Sequence, residues 1–314
     1  SAVLDTLTTS IVMVSLIRKL VPEKQLRMMF AGMVIIACNA GGAWSPIGDV
    51  TTTMLWIDNR ITTPGIMASV FLPSLACLLV PLAVLSLRLK GSLPPVTIKE
   101  GKRNDISVVE RNTVFIVGLL VLLFVPVFKT ITHLHPFMGI LFGLGVLWVV
   151  TELMHKGKKV DVRSYYSPAM ALQRIDAPSI LFFLGILTAV GALQAVGLLK
   201  LLSVWMDSAI GNLDVIVLAI GVLSAIVDNV PLVAATMGMY SLDQFPADHT
   251  LWKFIAYCAG TGGSILIIGS AAGVAVMGLE KIEFFWYLRK IGWLALLGYL
   301  AGAGVYLLQA SLMG

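Results

Sequence analysis

The sequence predicts an all-α polytopic membrane protein, and three observations support this fold class. Hydrophobic residues make up 58% of the 314 positions and charged residues only 12%, whereas soluble domains contain roughly 25% charged residues. The mean hydropathy is +0.93. Apolar stretches of about 20 residues, the length that a membrane-spanning helix needs, recur along the chain. This composition excludes a disordered chain and argues against a soluble enzyme.

The apolar stretches are of three kinds. Two of them, 27–58 and 251–279, are interrupted by glycine, the first also by proline, and are predicted to be broken membrane helices. Two others, 1–17 and 215–240, each hold an aspartate in the middle and are predicted to be re-entrant hairpins, the second turning at Asn229–Pro231. The remaining stretches are predicted to be continuous membrane helices: 66–87, 113–128, 136–152, 179–206 and 291–312.

Basic residues predict the orientation of these helices. Four polar connections hold 18 of the 22 lysines and arginines when Arg27 is counted with the first of them. Counting of the crossings places all four on one side, and the positive-inside rule makes that side cytoplasmic. Trp286 and Tyr287, within the last basic connection, are typical of interfacial anchors. The four connections are 18–26, 88–112, 153–178 and 280–290.

The two ends of the chain resemble one another. The segment Ser1–Thr8 matches Ser224–Pro231 at an offset of 223. Two adjacent glycines followed by a third six positions later occur at 41, 42 and 48 and again, at an offset of 221, at 262, 263 and 269. Five predicted crossings separate the two hairpins, so the copies have inverted topology, a pattern found in many secondary transporters. We expect a first repeat over 1–87, a cytoplasmic linker over 88–112 and a second repeat over 113–314.

Three aspartates, Asp5, Asp49 and Asp228, fall within apolar territory. A charge at the bilayer centre costs at least about 2.5–3.5 kcal/mol, so such residues usually face a cavity and serve transport. The structural alternative is that they cap the N-termini of half-helices. The predicted breaks add side-chain oxygens at Asn39, Ser45, Thr51, Thr52, Thr261, Ser264 and Ser270.

These residue types indicate the ion that the site would take. Oxygen-only ligands suit a hard cation such as Na⁺ or Li⁺, and no histidine or cysteine cluster in the sequence offers a transition-metal site. A half-desolvated carboxylate holds either a proton or a cation, so alternating access would exchange the two. No arginine is predicted at midplane depth, which disfavours a strongly anionic substrate. No cofactor and no nucleic-acid partner are expected.

The segments that hold these residues resemble the NhaD-type sodium/proton antiporters of the ion transporter superfamily, which also contains arsenite permeases and sodium-coupled dicarboxylate carriers. The resemblance extends over essentially the whole chain. It implies two inverted repeats, each with a re-entrant hairpin and a broken helix, a scaffold that forms a homodimer and a transport part that moves as an elevator. The family's helices before the first hairpin would be missing from these 314 residues. The stretches that carry the resemblance are 1–9, 39–53, 224–231 and 260–270.

The resemblance also implies which residues bind the ions. The sodium or lithium ion is expected at Asp5, Asn39, Asp228 and Asn229, with Asp228 and Asp5 as the main carboxylates and Asp49 as a supporting one. The family usually has asparagine where this chain has Thr6, which keeps an oxygen ligand but loses the amide. The full set of expected ion- or proton-binding residues is Asp5, Thr6, Asn39, Ser45, Asp49, Thr51, Thr52, Ser224, Asp228, Asn229, Ser264 and Ser270.

The leading hypothesis is therefore a secondary transporter, not an enzyme, that exchanges cytoplasmic Na⁺ or Li⁺ for external H⁺. Its partners would be inorganic cations and lipid, in a bacterial inner membrane or an organelle envelope. A sodium-coupled anion or dicarboxylate symporter is the alternative. An intramembrane aspartyl protease is a remote alternative, because Gly48-Asp49 resembles part of the motif of such enzymes, but Pro46 departs from it and no Tyr-Asp partner motif occurs.

Overall fold

The computed structural model describes residues 1–88, 107–156, 170 and 177–313. Within these ranges the chain is helical without strands, which confirms the all-α prediction. The described chain forms two compact units, one of residues 1–88 and 186–313 and the other of residues 107–156 and 177–185. The predicted linker over 88–112 and the connection over 153–178 fall mostly outside the described residues.

The first quarter of the chain forms four helices. Residues 6–20 contain no glycine or proline, so they form one continuous helix after Asp5, and the hairpin predicted over 1–17 is absent from the structure. The stretch predicted as a broken helix is interrupted over residues 44–49, where Pro46 has no N–H to donate. The helices are α1 (Thr6–Leu20), α2 (Lys24–Ala43), α3 (Val50–Ile57) and α4 (Thr63–Arg88).

The second unit is built on two long apolar helices, α5 (Val108–Thr132) and α6 (Pro136–His155). They pack against each other where Val121 and Phe128 of α5 cover Gly143 and Gly139 of α6. Their other faces are apolar and exposed in the described part of the chain, as Phe115 of α5 shows with 67% exposure. Such faces suit contact with lipid or with another apolar surface.

The stretch predicted as one helix over 179–206 is two helices, α7 (Ala177–Ala195) and α8 (Leu198–Ile210). The segments 184–195 and 198–210 are bent by 74° relative to one another. Gly197, with φ +78°, supplies the left-handed conformation that the bend requires and that other residues adopt at a cost. Periodicity does not reveal such a bend, because the apolar pattern continues through it.

The last third of the chain continues in unit one. The break predicted at Asn229–Pro231 lies a turn earlier, over residues 224–228, because Asn229 begins a helix and a proline in a first helical turn loses no hydrogen bond. The second broken helix is interrupted over residues 263–270. The helices are α9 (Leu213–Leu223), α10 (Asn229–Met239), α11 (Thr250–Gly262), α12 (Ala271–Glu280), α13 (Phe284–Tyr287) and, after a π-helical turn over Leu288–Gly292, α14 (Trp293–Met313).

The core of unit one surrounds α11, which packs against α2, α4, α9 and α14, while α14 lies along α4. Aromatic side chains with no exposed surface fill this core, among them Trp252, Tyr257 and Tyr299. In the described chain, five helices or helix combinations are long and apolar enough to cross a membrane, and the bent pair of α7 and α8 makes a sixth candidate. The protein is therefore an integral membrane protein whose two broken helices lie inside the packed unit.

Candidate functional site

The Asp49 carboxylate lies where three helices begin. It is only 6% exposed and occupies the N-cap of α3. Its Oδ1 accepts the hydroxyl of Thr6, the first residue of α1, at 3.1 Å. Its Oδ2 accepts the Nδ2 of Asn229, the first residue of α10, at 3.3 Å, and the N–H of Thr51 at 3.3 Å. The Thr51 hydroxyl donates to the same oxygen. Both halves of unit one thus donate to one buried carboxylate.

A second buried polar pair joins the two broken helices. The Nδ2 of Asn39, in α2, lies 3.1 Å from the Oγ of Ser270. Ser270 is the N-cap of α12 and accepts the N–H of Gly273 at 3.2 Å. Asn39 and Ser270 are 2% and 5% exposed. The structure therefore brings these two predicted residues into direct contact across 231 positions of sequence.

The other two candidate aspartates also precede helices. The Oδ2 of Asp5 accepts the N–H groups of Leu7 and Thr8 at 3.0 and 3.4 Å, which caps α1. Asp228 occupies the N-cap position of α10 without a side-chain cap bond. Both are half-buried, and each immediately precedes a residue, Thr6 or Asn229, that donates to Asp49. Asp5 therefore caps α1 through its carboxylate, and Asp228 occupies the corresponding N-cap position of α10.

The remaining predicted hydroxyls donate to main-chain carbonyls near the breaks, including the main-chain carbonyl of Asp49, rather than to the Asp49 carboxylate. Ser45 donates to Ala2 at 2.5 Å, Thr52 to Asp49 at 2.9 Å, Ser224 to Gly221 at 2.7 Å and Ser264 to Thr261 at 2.6 Å. All four side chains are buried. A hydroxyl that donates its proton keeps its oxygen lone pairs. These residues therefore hold the irregular backbone in place and still present oxygens around the breaks.

Glycines allow the backbone to close on itself inside each break. A Cβ on Gly42 would lie 2.9 Å from the carbonyl oxygen of Gly48, and one on Gly263 would lie 2.5 Å from that of Gly269. Real Cβ atoms do not approach backbone oxygens so closely, so these contacts require glycine. The paired glycines that the sequence shows at an offset of 221 thus make the same contact in both halves of the unit.

Hydrogen bonds before the two breaks also correspond. The Ser1 hydroxyl donates to the Cys38 carbonyl, and the Ser224 hydroxyl donates to the Ala259 carbonyl at 3.1 Å. The donors differ by 223 positions and the acceptors by 221, the same offsets that relate the matching sequence segments. The N-caps Asp49 and Ser270 are likewise 221 positions apart. The similarity between the two ends of the chain is therefore a similarity of contacts as well as of residue types.

Sequence reasoning missed three buried groups around this centre. Glu280, in the predicted connection 280–290, is 2% exposed, and Arg60, between the predicted membrane stretches 27–58 and 66–87, is 8% exposed. Tyr287, predicted to be an interfacial anchor, is fully buried, and its hydroxyl donates to the carbonyl of Ser264 in the second break at 2.8 Å. The prediction for Tyr287 was wrong because aromatic residues near a helix end pack inward as readily as they face the interface.

Three helices, α1, α3 and α10, begin at the Asp49 carboxylate, and the N-cap of α12, Ser270, contacts Asn39. Helix N-termini carry partial positive charge, which stabilises a nearby carboxylate. The donors on Asp49 are hydroxyls and an amide whose oxygens are hard ligands. The centre is therefore a buried carboxylate surrounded by oxygens, a composition that suits exchange between a proton and a small hard cation.

The fold and this centre define a polytopic membrane protein with a polar site at two broken helices. The family described as "Citrate transporter" matches residues 1–252. The chain is 54% identical over 312 residues to "Sodium/proton antiporter 1" and 51% identical over 312 residues to "Sodium/proton antiporter 2", both of Arabidopsis thaliana. It is 31% identical over 337 residues to "Na(+)/H(+) antiporter NhaD" of Vibrio cholerae. The chain therefore belongs to the NhaD-type sodium/proton antiporters of this family.

The alignments cover 98% of this chain in all three comparisons. They cover 53% of the first Arabidopsis relative, 73% of the second and 67% of the Vibrio relative. The chain thus spans about half the length of the first of these relatives. The predicted family resemblance is confirmed, and the membrane character follows from the apolar helices.

Proposed function

We propose that this chain forms the ion-exchange part of a transporter that moves Na⁺ or Li⁺ in one direction and H⁺ in the other, with Asp49 as the carboxylate that holds either ion. One observation supports the choice of Asp49 above the others. It is the buried carboxylate that accepts donors from α1, from α3 and from α10 at once. The hydrogen bonds to Asp49 therefore change whenever the helices of the two halves move relative to one another.

In the proposed cycle, ionised Asp49 binds the cation together with oxygens of Thr6, Thr51 and Asn229. For this, the Asn229 amide turns its oxygen toward the ion, and the threonine hydroxyls turn their protons away. Protonation of Asp49 removes its negative charge, and the cation leaves because a neutral carboxyl is a poor ligand. Access alternates between the two sides of the membrane, and the elevator motion implied by the resemblance is our expectation for that step.

This proposal changes the order of the predicted carboxylates. Sequence reasoning gave the main roles to Asp228 and Asp5 and a supporting role to Asp49. We now assign Asp49 to the centre, Asp228 to a second carboxylate beside it and Asp5 to the cap of α1. Asn39 and Ser270 contribute by holding the two broken helices together. Ser45, Thr52, Ser224 and Ser264 contribute by fixing the backbone of the breaks.

We further propose that the two halves are inverted repeats. The recurring contacts support two repeats, and the odd number of crossings predicted between the hairpin segments supports their inversion. Each repeat would then present its broken helix to the same central site from opposite sides of the membrane. The positive-inside rule predicts which side of the protein faces the cytoplasm. With an inward proton gradient we expect exchange of cytoplasmic Na⁺ for external H⁺, because the ion gradients determine the direction of flux.

Sodium-coupled uptake of a carboxylate is the second candidate function. Two observations favour it: the matching family is described as "Citrate transporter", and three helix N-termini, which attract anions, lie at the site. Against it, the N-cap residues of all three helices are aspartates, whose charge repels a second anion. We therefore rank it below cation/proton exchange.

We propose an organelle envelope in preference to a bacterial inner membrane, because the identity to the Arabidopsis relatives, 54% and 51%, exceeds the 31% to the Vibrio relative. We also propose a homodimer, supported by the exposed apolar faces of α5 and α6, of which Phe142 is 63% exposed. Native mass spectrometry of the purified full-length protein in detergent and microscopy of a tagged full-length protein test the two proposals.

The deciding experiment measures ion exchange by the full-length protein in everted vesicles. Addition of Na⁺ or Li⁺ should collapse a preformed pH gradient in the wild type and in the control Asp243→Asn, which changes an exposed aspartate. Asp49→Asn should abolish this response. A wild-type response from Asp49→Asn removes Asp49 from the mechanism, and sodium-dependent accumulation of citrate without proton flux selects the second candidate function.

A further inference from the structure

Three Asp, Glu, Lys or Arg side chains are buried in the described part of the chain, and two of them lie away from the proposed ion site. The first is Asp49 itself. The others are Arg60, which follows α3, and Glu280, the last residue of α12. A charge is buried only at a considerable cost in free energy unless it is paired. We therefore asked what each of these two groups holds in place.

Arg60 fixes the C-terminal end of α10. Its Nη1 donates to the Tyr240 carbonyl and its Nη2 to the Met237 carbonyl, both at 2.9 Å, while its Nε donates to Asp58 at 2.7 Å. Its guanidinium also lies 4.2 Å from the ring centroid of Trp252 in α11. The Met237 carbonyl lies in the last turn of α10 and the Tyr240 carbonyl at its C-cap, where a cation is favoured by the helix dipole.

Glu280 fixes the C-terminal end of α1. Its two carboxylate oxygens pair with Arg18, in the last turn of α1, at 2.8 Å and with Arg27, in α2, at 2.6 Å. Arg18 also donates from its Nη2 to the carbonyl of Leu279 at 2.9 Å. The end of α1 is therefore attached to the end of α12, as the end of α10 is attached to the residues after α3.

The helices held by these charges are the two helices whose first residues donate to Asp49. Helix α10 begins with Asn229, and α1 begins with Thr6. We propose that Arg60 and Glu280 are positioning residues of the ion site: Arg60 sets the position of Asn229 through α10, and Glu280 sets the position of Thr6 through α1. This inference rests on the proposed function, because it assumes that Asp49 holds the ion.

Physical reasons support action over this distance. An α-helix rises 1.5 Å per residue, so 11-residue α10 and 15-residue α1 are rods of about 16 and 22 Å that transmit an axial shift from end to end. An ion site requires its ligands to be held within roughly 0.5 Å. Helix α1 contains no glycine or proline. The only such residues in helix α10 are Pro231, in its first turn, and Gly238, in its last turn, so neither helix is interrupted in its middle.

The test combines each charge with each donor in the full-length purified protein and measures ²²Na⁺ binding. Arg60→Gln and Asn229→Ala should each weaken binding about tenfold, and the double variant should bind no more weakly than Asn229→Ala alone, which is the coupling expected of linked residues. Arg60→Gln combined with Thr6→Val should instead show the product of the two single effects. Glu280→Gln should follow the opposite scheme, coupled to Thr6→Val and independent of Asn229→Ala.

Hydrogen exchange provides a readout that does not depend on sodium binding. Arg60→Gln should speed exchange in the peptide over 229–236 and leave 6–13 unchanged, and Glu280→Gln should do the reverse. Arg60→Lys keeps the charge but loses the planar fork, so it should fold and show an intermediate effect. Glu280→Asp serves the same purpose at the other end.

The outcomes separate this inference from the function on which it rests. Multiplicative effects of Arg60→Gln and Asn229→Ala, or equal coupling of Arg60→Gln to both donors, overturn the positioning roles. Exchange that speeds equally in both peptides also overturns them, because it indicates general destabilisation. If Asp49→Asn binds ²²Na⁺ as the wild type does, the proposed ion site fails, and the hydrogen-exchange pattern still decides whether the two charges position the helices.

Discussion

The Nδ2 of Asn229 donates to the Oδ2 of Asp49 at 3.3 Å, although 180 positions separate the two residues in sequence. Each of them begins or caps a helix that follows a break in the chain. The distance between Asn229 and Asp49 therefore depends on how closely the two halves of unit one pack together. It also means that Asp49 cannot change its protonation or its ligands without a response from the first turn of α10.

The contact between Asn39 and Ser270 should be a stabilising link between the two broken helices. Asn39→Ala and Ser270→Ala should each lower stability by about 1–3 kcal/mol, because each leaves a buried polar partner unsatisfied. The double variant should lose less than the sum of the two. Thermal unfolding of the full-length protein in detergent measures this, and strictly additive losses contradict the link.

Gly263 should not tolerate a side chain. Gly263→Ala places a Cβ 2.5 Å from the carbonyl oxygen of Gly269, so the break must open, and we expect a drop in unfolding temperature together with loss of exchange activity. Gly278→Ala in the following helix is the matched control, since a Cβ there meets nothing within 4 Å. The control should be neutral or gain up to about 1 kcal/mol from higher helix propensity. Equal effects of the two changes refute the close approach.

The Tyr287 hydroxyl should stabilise the second break. Tyr287→Phe removes the donor to the Ser264 carbonyl and should cost about 0.5–1.5 kcal/mol of stability. Tyr306→Phe is the matched comparison, because its hydroxyl donates at the same 2.8 Å to the Thr250 carbonyl at the start of α11, away from the break. Both variants should unfold at lower temperature, but only Tyr287→Phe should weaken Na⁺ binding. A Tyr306→Phe protein with the same binding defect contradicts this assignment.

Acid should weaken the cap of α11. Burial lowers the pKa of His249 below its ordinary 6.5, and the charge of Lys253 lowers the pKa further. The His249 Nδ1 accepts the N–H of Leu251 at 3.1 Å, and protonation removes that acceptor. The unfolded chain therefore binds this proton more tightly, and stability is lost as the pH falls below about 6.5.

The His249 prediction is checked by comparing unfolding temperatures at about pH 7.5 and about pH 5.5. His249→Asn keeps a capping acceptor without a titrating group, so this variant should show a smaller loss on acidification than the wild type. The neighbouring Asp248 and Lys253 remain in both proteins and serve as the internal reference. An unchanged loss in His249→Asn assigns the acid sensitivity to another group.

The breaks at the glycine-rich segments could be predicted from sequence, because a proline without a donor and paired glycines leave few alternatives for the backbone. The hairpin predicted over 1–17 was wrong: an aspartate in an apolar stretch fits a helix cap as well as a turn, and Asp5 is the cap of α1. The bend at Gly197 gave no signal, since one glycine in an apolar run is common in membrane helices.

The residue types of the site were predictable, but their partners were not. An aspartate between apolar residues marks a buried carboxylate, and on that basis Asp49 entered the candidate set. Its contact with Asn229 depends on how distant segments pack, which local pattern does not encode. The burial of Arg60 and Glu280 was not predicted either, because charge near the end of an apolar stretch normally indicates exposure.

The close backbone contact between Gly42 and Gly48, repeated at Gly263 and Gly269, has a consequence for selectivity and for evolution. The width of each interruption is determined by main-chain atoms in contact, and protein interiors resist small expansions. If a cation binds beside Asp49 as proposed, we expect a larger alkali ion such as potassium to be admitted only when the backbone at these interruptions separates. Exchange of one ligand side chain for another would therefore alter affinity, while discrimination by ionic radius would persist across sequences that keep these four glycines.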